Sequence, residues 1–183
     1  MRDETTARTD TNTRRDDTTP RLAALGDLRD YKVADDDPDI RGWDVIGSDG
    51  DRIGEVHDVI ADTVAMRVRY VDVELDAVSS GGEKDRHVLL PIGCARLHEK
   101  DDQLLMGSAT FDVATLPAYT HGPITREQEL TIRDCVAEAV PADRAARRRT
   151  GEDEFYGHPV YDEEPFWGGR REGREEKEYL RRY

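Results

Sequence analysis

Between Trp43 and Met106 the apolar residues fall into short runs, each closed by Gly, Asp, Ser or Pro, and most keep the two-residue period of strands. Val45 and Ile46 begin the first run. In the second, Ile53, Val56, Val59 and Ile60 follow an alternation that breaks once, which predicts a bulge, with Gly54 marking a bend. The turn between these runs is Ser48-Asp49-Gly50-Asp51, and an Asp-Gly pair there signals a hairpin because Gly accepts the positive φ that the turn needs. The third run, Arg67 to Leu75, is β-branched and aromatic, and both of its faces mix apolar and charged residues. A fourth spans His87 to Ile92, with Pro91 at its end. Cys94 to His98 and Gln103 to Met106 read as one more hairpin, turning at Lys100-Asp101-Asp102.

The flanks differ in character. Leu22, Leu25, Leu28 and Tyr31 predict a short helical turn or an extended lead-in that lays one apolar edge on the strands. The acidic stretch from Asp35 to Asp39 ends any helix, since Pro38 disfavours the helical region at Asp37. After Phe111 the chain is irregular until Thr125, which is placed to cap a helix with Gln128 as its reciprocal partner. Leu130, Cys135, Val136 and Ala139 continue that helix up to Pro141. Residues 1–20 are predicted to be disordered, 21–140 to fold, and 141–183 to form a charged, disordered tail. The fold class is mainly β: a small antiparallel β-barrel with a C-terminal helix and disordered tails.

Composition narrows the possible partners. Of 183 residues, 37% are charged and 36% hydrophobic, and the net charge is −14. One modest core follows from the low apolar content. The charge disfavours nucleic acid, whose binding depends on Lys and Arg, and adsorption on anionic lipid. No apolar run is long enough to insert in a membrane, and the first residues lack the apolar stretch of a secretory signal. Cys94 and Cys135 form no CxxC motif, which fits a reducing, cytoplasmic setting.

Candidate chemistry is sparse. His57, Asp58 and Asp62 place an imidazole near carboxylates on the second strand, a combination able to relay protons near neutral pH. His87, His98 and His121 stand at no metal-ligand spacing, and residues 35–39 lack the Gly and distal Glu of a calcium loop, so no metal is expected. Ser79-Ser80-Gly81-Gly82 is not a phosphate-binding loop, and no nucleophile stands beside a base. Neither a cofactor nor an enzyme activity is expected. In the tail, Phe155, Tyr156, Tyr161, Phe166 and Trp167 stand out among charges and are candidate contacts for a protein partner.

These residues in this order resemble the PRC-barrel family, the module shared by the cytoplasmic part of the photosynthetic reaction centre H subunit and the C-terminal domain of a ribosome maturation factor. The resemblance rests on Asp39-Ile40-Arg41-Gly42, the Asp49-Gly50 turn, Ile53-Gly54-Glu55-Val56-His57-Asp58, Val59-Ile60-Ala61-Asp62, Arg69-Tyr70-Val71-Asp72-Val73-Glu74-Leu75 and Val88-Leu89-Leu90-Pro91. Leu116-Pro117 and Ile124-Thr125-Arg126-Glu127 extend it toward the H-subunit branch, in its soluble, free-standing form without a membrane helix. It implies a non-enzymatic, cytoplasmic scaffold that binds a protein partner, with a place beneath an inner-membrane complex as the specific version. The alternative it implies is proton delivery in light-driven electron transport, for which Asp62 is the nearest match. An RNA-processing role through the ribosome-maturation branch is disfavoured by the net charge.

Overall fold

The computed structural model describes residues 20–29, 31–33, 37–98, 100–107, 111–137 and 154–167, and the backbone of 180–182. The expected disorder of 1–19 and most of the predicted tail lie outside these residues. The strands are β1 (Leu22–Ala24), β2 (Tyr31–Val33), β3 (Asp44–Ile46), β4 (Arg52–Asp62), β5 (Arg67–Leu75), β6 (His87–Pro91), β7 (Ala95–His98), β8 (Gln103–Met106), β9 (Ala118–Tyr119) and β10 (Leu180–Arg182). The one α-helix among the described residues is α1 (Arg126–Val136).

One sheet runs β7-β8-β3-β4-β5-β6-β9, with β1 laid along the Asp62 end of β4, and β10 pairs separately with β2. Its central meander β3–β6 follows the predicted hairpins, and Gly50 takes the positive φ expected at the first turn. The mainly β reading holds, with two corrections to the antiparallel barrel. The sheet is not closed by hydrogen bonds, and β3 pairs with β8 in parallel. The second has a simple cause. The chain passes from β6 through a 3-10 bend at Ile92–Cys94 into β7 without reversing, so β8 returns in the same sense as β3.

The interior is packed with Val45, Val59, Ile60, Val71, Leu90, Ile92 and Leu104, each at most 1% exposed. Burying a side chain of this size contributes roughly 1.5–3 kcal/mol. Helix α1 opens with the predicted capping box: Thr125 Oγ1 accepts from Gln128 N–H, while Gln128 Oε1 accepts from Thr125 N–H. Its Ile132 and Val136 are buried, whereas Leu130 faces outward. Leu22, Leu25 and Leu28 do lie against the sheet, but as a strand followed by a 3-10 turn.

Residues 154–167 depart from the expectation of a loose tail. Two 3-10 turns, Glu154–Gly157 and Pro159–Tyr161, lay this segment on the body of the protein, and Phe166 O accepts from Leu97 N–H at 3.1 Å on the edge of β7. Gly93 permits the approach: a Cβ there would stand 2.6 Å from Pro159 O and 2.7 Å from Val160 O. The segment also explains why neither face of β5 reads as solvent-facing. Residues 68–73 are all buried: Arg69 and Tyr70 meet the segment and α1, and Asp72 meets His87 and His121, instead of water.

Candidate functional site

The feature with most chemical capacity is a group of three imidazoles around one buried carboxylate. Strand register assembles it. Glu74 pairs with His87 across β5 and β6, and His87 pairs with Tyr119 across β6 and β9. His121 follows two residues after Tyr119 in a left-handed backbone conformation (φ 58°) that is uncommon for a residue with a Cβ. His57 arrives from β4, where Val56 pairs with Val73 and Asp58 with Asp72, so His57 is the extra residue of a bulge. β4 is thus irregular in two places, at Ile53 against β3, beside the predicted Gly54, and at His57 against β5. A bulge re-aims its side chain, and here it sends His57 toward the other two rings.

The ring centroids are 4.7 Å apart for His57–His87, 5.3 Å for His57–His121 and 4.4 Å for His87–His121, with Tyr119 5.1 Å from His121. Beneath them sits Asp72, which is 0% exposed. Its Oδ1 lies 2.9 Å from His87 Nδ1. Its Oδ2 is buried without a hydrogen bond and lies 3.6 Å from His121 Nδ1. Burial pushes the Asp72 carboxyl above the usual carboxylate range, opposed by the His87 hydrogen bond and the three nearby imidazoles. Burial, aided by Asp72, Asp27 and Asp58, likewise raises the Tyr119 phenol. Two sets of groups place their ligand atoms within 4.8 Å of one another: His57, Asp72 and His121, and His57, Glu74 and His87.

Of the predicted relay residues, only His57 belongs to this group. The Asp58 carboxylate accepts from Gly26 N–H at 3.0 Å and from Val59 N–H at 2.8 Å, which ties the N-terminal 3-10 turn to β4. Asp62 is 0% exposed and saturated: Oδ2 takes Arg21 Nη2 at 3.2 Å and Arg69 Nε at 3.4 Å, while Oδ1 takes Val64 N–H and Ala65 N–H at 3.0 Å each. Both acids fasten the β4 strand. Asp72 and Glu74 were absent from the sequence-derived set. His87 and His121 were dismissed there because linear spacing says nothing of partners brought in by strand pairing. His98 ends β7 and faces Asp101 of its own turn, and Ser80 caps its loop by donating to Glu83 O at 2.6 Å.

The tail aromatics, the candidates for partner contact, pack against the chain's own body. Tyr156, Tyr161, Phe166 and Trp167 are each at most 3% exposed. The Arg69 guanidinium lies 4.1 Å from the Tyr156 ring, and that of Arg126 lies 4.2 Å from Phe155. Buried Glu129 of α1 is the hub beneath them. It accepts from Tyr156 Oη at 2.5 Å and Tyr70 Oη at 3.0 Å and pairs with Arg126 at 3.3 Å. Tyr70 and Tyr161 share a 2.9 Å hydroxyl hydrogen bond, and burial raises all three phenols. Arg67 pairs with Glu163 to close the segment's far side. No described helix is long and apolar enough to cross a membrane.

Comparison with known proteins gives one family. Residues 32–107 match the model of the PRC-barrel domain. No curated protein matches the chain significantly. The matched span runs from within β2 through β8, hence over His57, Asp72 and His87, whereas His121, α1 and the aromatic segment lie beyond it.

Proposed function

This chain carries a PRC-barrel domain, and from that premise we propose that it is a non-enzymatic adaptor whose outer surface holds a protein partner. The observation that carries this reading is the interior of the sheet, filled by the protein's own aliphatic side chains, which leaves the outer surface as what the domain offers. That surface is strongly acidic overall, with a net charge of −14 on the chain, and it favours a partner with a basic contact face. Fixed charge arrays support the same reading. Arg52 donates to Asp44 at 2.6 Å and to Asp76 at 2.5 Å, which holds three loops and strands in one polar face.

The specific version is a cytoplasmic partner beneath a membrane complex, following the H-subunit likeness of the sequence. This version leaves the aromatic segment out of the contact, since Tyr156, Tyr161, Phe166 and Trp167 are buried against the body of the protein. The test is affinity purification of the full chain from its source at low and at raised salt. A stoichiometric partner released as salt rises is the expected result, since screening weakens exposed charge pairs first. Recovery of no stoichiometric partner would end the proposal.

A further inference from the structure

We propose that His57, Asp72 and His121 bind a divalent transition-metal ion of the zinc class, with His87 as the residue that positions Asp72. The inference is independent of the adaptor reading, since it needs no partner. Two imidazoles and a carboxylate form a donor set suited to zinc and its borderline neighbours, cobalt and nickel, better than to calcium or magnesium, which prefer all-oxygen sites.

The geometry points to this set ahead of the one through Glu74. Asp72 Oδ2 is a buried carboxylate oxygen with no hydrogen-bond donor, and such an oxygen is costly unless something positive meets it. Its 3.6 Å separation from His121 Nδ1 is close to the roughly 3.4 Å between two ligands on a tetrahedral ion with bonds of about 2.1 Å. His57 must close in, because the three ligand atoms now lie within 4.8 Å of one another. Both His57 and His121 are exposed, which gives the ion a path from solvent. His87 Nδ1, at 2.9 Å from Asp72 Oδ1, supplies the outer hydrogen bond that a ligating carboxylate needs to stay oriented. A solvent molecule would complete the coordination. The acids beside Tyr119, Asp27 and Asp58, add negative field that favours a cation.

The experiment uses the full chain freed of metal with a chelator and titrated with Zn²⁺ by calorimetry. Co²⁺ is run in parallel to report tetrahedral coordination in its visible spectrum. One ion per chain, a tetrahedral cobalt spectrum and a rise in melting temperature with Zn²⁺ are expected. His121→Ala sits at an exposed position and should weaken Zn²⁺ binding by more than the roughly 10–100-fold that loss of an orienting partner costs. Glu74→Gln should leave the affinity within about twofold, well inside that same margin. Circular dichroism confirms that each variant is folded. Binding no tighter to the parent than to the His57→Ala/His121→Ala double variant would overturn the site. Loss of binding in Glu74→Gln with none in His121→Ala would overturn the ligand set.

Discussion

Asp72 and Glu129 are both carboxylates buried at about the same depth, and the protein treats them in opposite ways. Around Glu129, which is 3% exposed, two tyrosine hydroxyls and a guanidinium supply the interactions that a charged carboxylate requires. Around Asp72 one oxygen is met by His87 and the other is left facing an imidazole that opens to solvent. A saturated carboxylate is a joint: removing it loosens whatever it joins. An unsaturated one adds strain to the fold and is retained at a cost, which makes it the better candidate for function. Asp62, with donors from four residues, belongs with Glu129.

The largest test of that contrast is Glu129→Ala. It leaves the buried hydroxyls of Tyr70 and Tyr156 without their acceptor, and each orphaned donor costs about 1–3 kcal/mol, so a loss on the order of 3 kcal/mol is expected in chemical denaturation. A loss under about 0.5 kcal/mol, the range of an ordinary surface change, would show that the joint is not one. Next in size is Gly93→Ala. Its new Cβ would collide with the backbone at Pro159 and Val160, at a cost of about 2 kcal/mol, and should lift the 154–167 segment. Trp167 fluorescence, read in a Trp43→Phe background, should then shift to the red, and an unchanged emission would refute the docking.

A pH effect comes third. Burial, helped by the charge of Arg133, lowers the His158 imidazole below its ordinary value, and its Nδ1 accepts from Val160 N–H. The unfolded chain therefore binds more protons than the folded one as pH falls below the ordinary histidine range near 6.5. The stabilisation is fully present above that value and is lost as pH falls toward the folded pKa. Trp167 emission should report a looser segment in mild acid. His158→Asn, which keeps an acceptor without titrating there, should flatten the response; an unaltered pH profile in that variant would assign the effect to another group.

The smallest effect is expected at Asp72→Asn. In metal-free protein the neutral amide relieves a buried charge, so thermal stability should equal or slightly exceed that of the parent. A marked loss would place Asp72 among the joints and erase the contrast.

Much of the framework was legible from local pattern. Alternation gave β4, β-branched and aromatic content gave β5, a short apolar run closed by Pro91 gave β6, the Asp49-Gly50 pair gave the first hairpin, and Thr125 with Gln128 gave the start of α1, because each signal is written within a few residues of its effect. The site was not. His57, Asp72, His87 and His121 are joined only by cross-strand register and by a bulge whose position shifts every later pairing. Placing Asp72 and Glu74 on one face of β5 was within reach. Setting His87 opposite Glu74 required knowing which strand lies beside β5 and in which register. The tail shows a different limit. An excess of aromatics among charges did signal contact, but composition carries no address, and the receiving surface turned out to be Gly93, Arg69 and α1 of the same chain.

The parallel pairing of Asp44 with Gln103 sets an order on how this molecule comes into being. On the ribosome, one edge of β3 can pair as soon as β4 has emerged, but its other edge waits until β8 has been made. Until then that edge offers unpaired amide and carbonyl groups to any other extended peptide. Closing so distant a contact also slows the final search relative to its hairpins. Nascent chains halted after β6 should therefore be the species most prone to self-association.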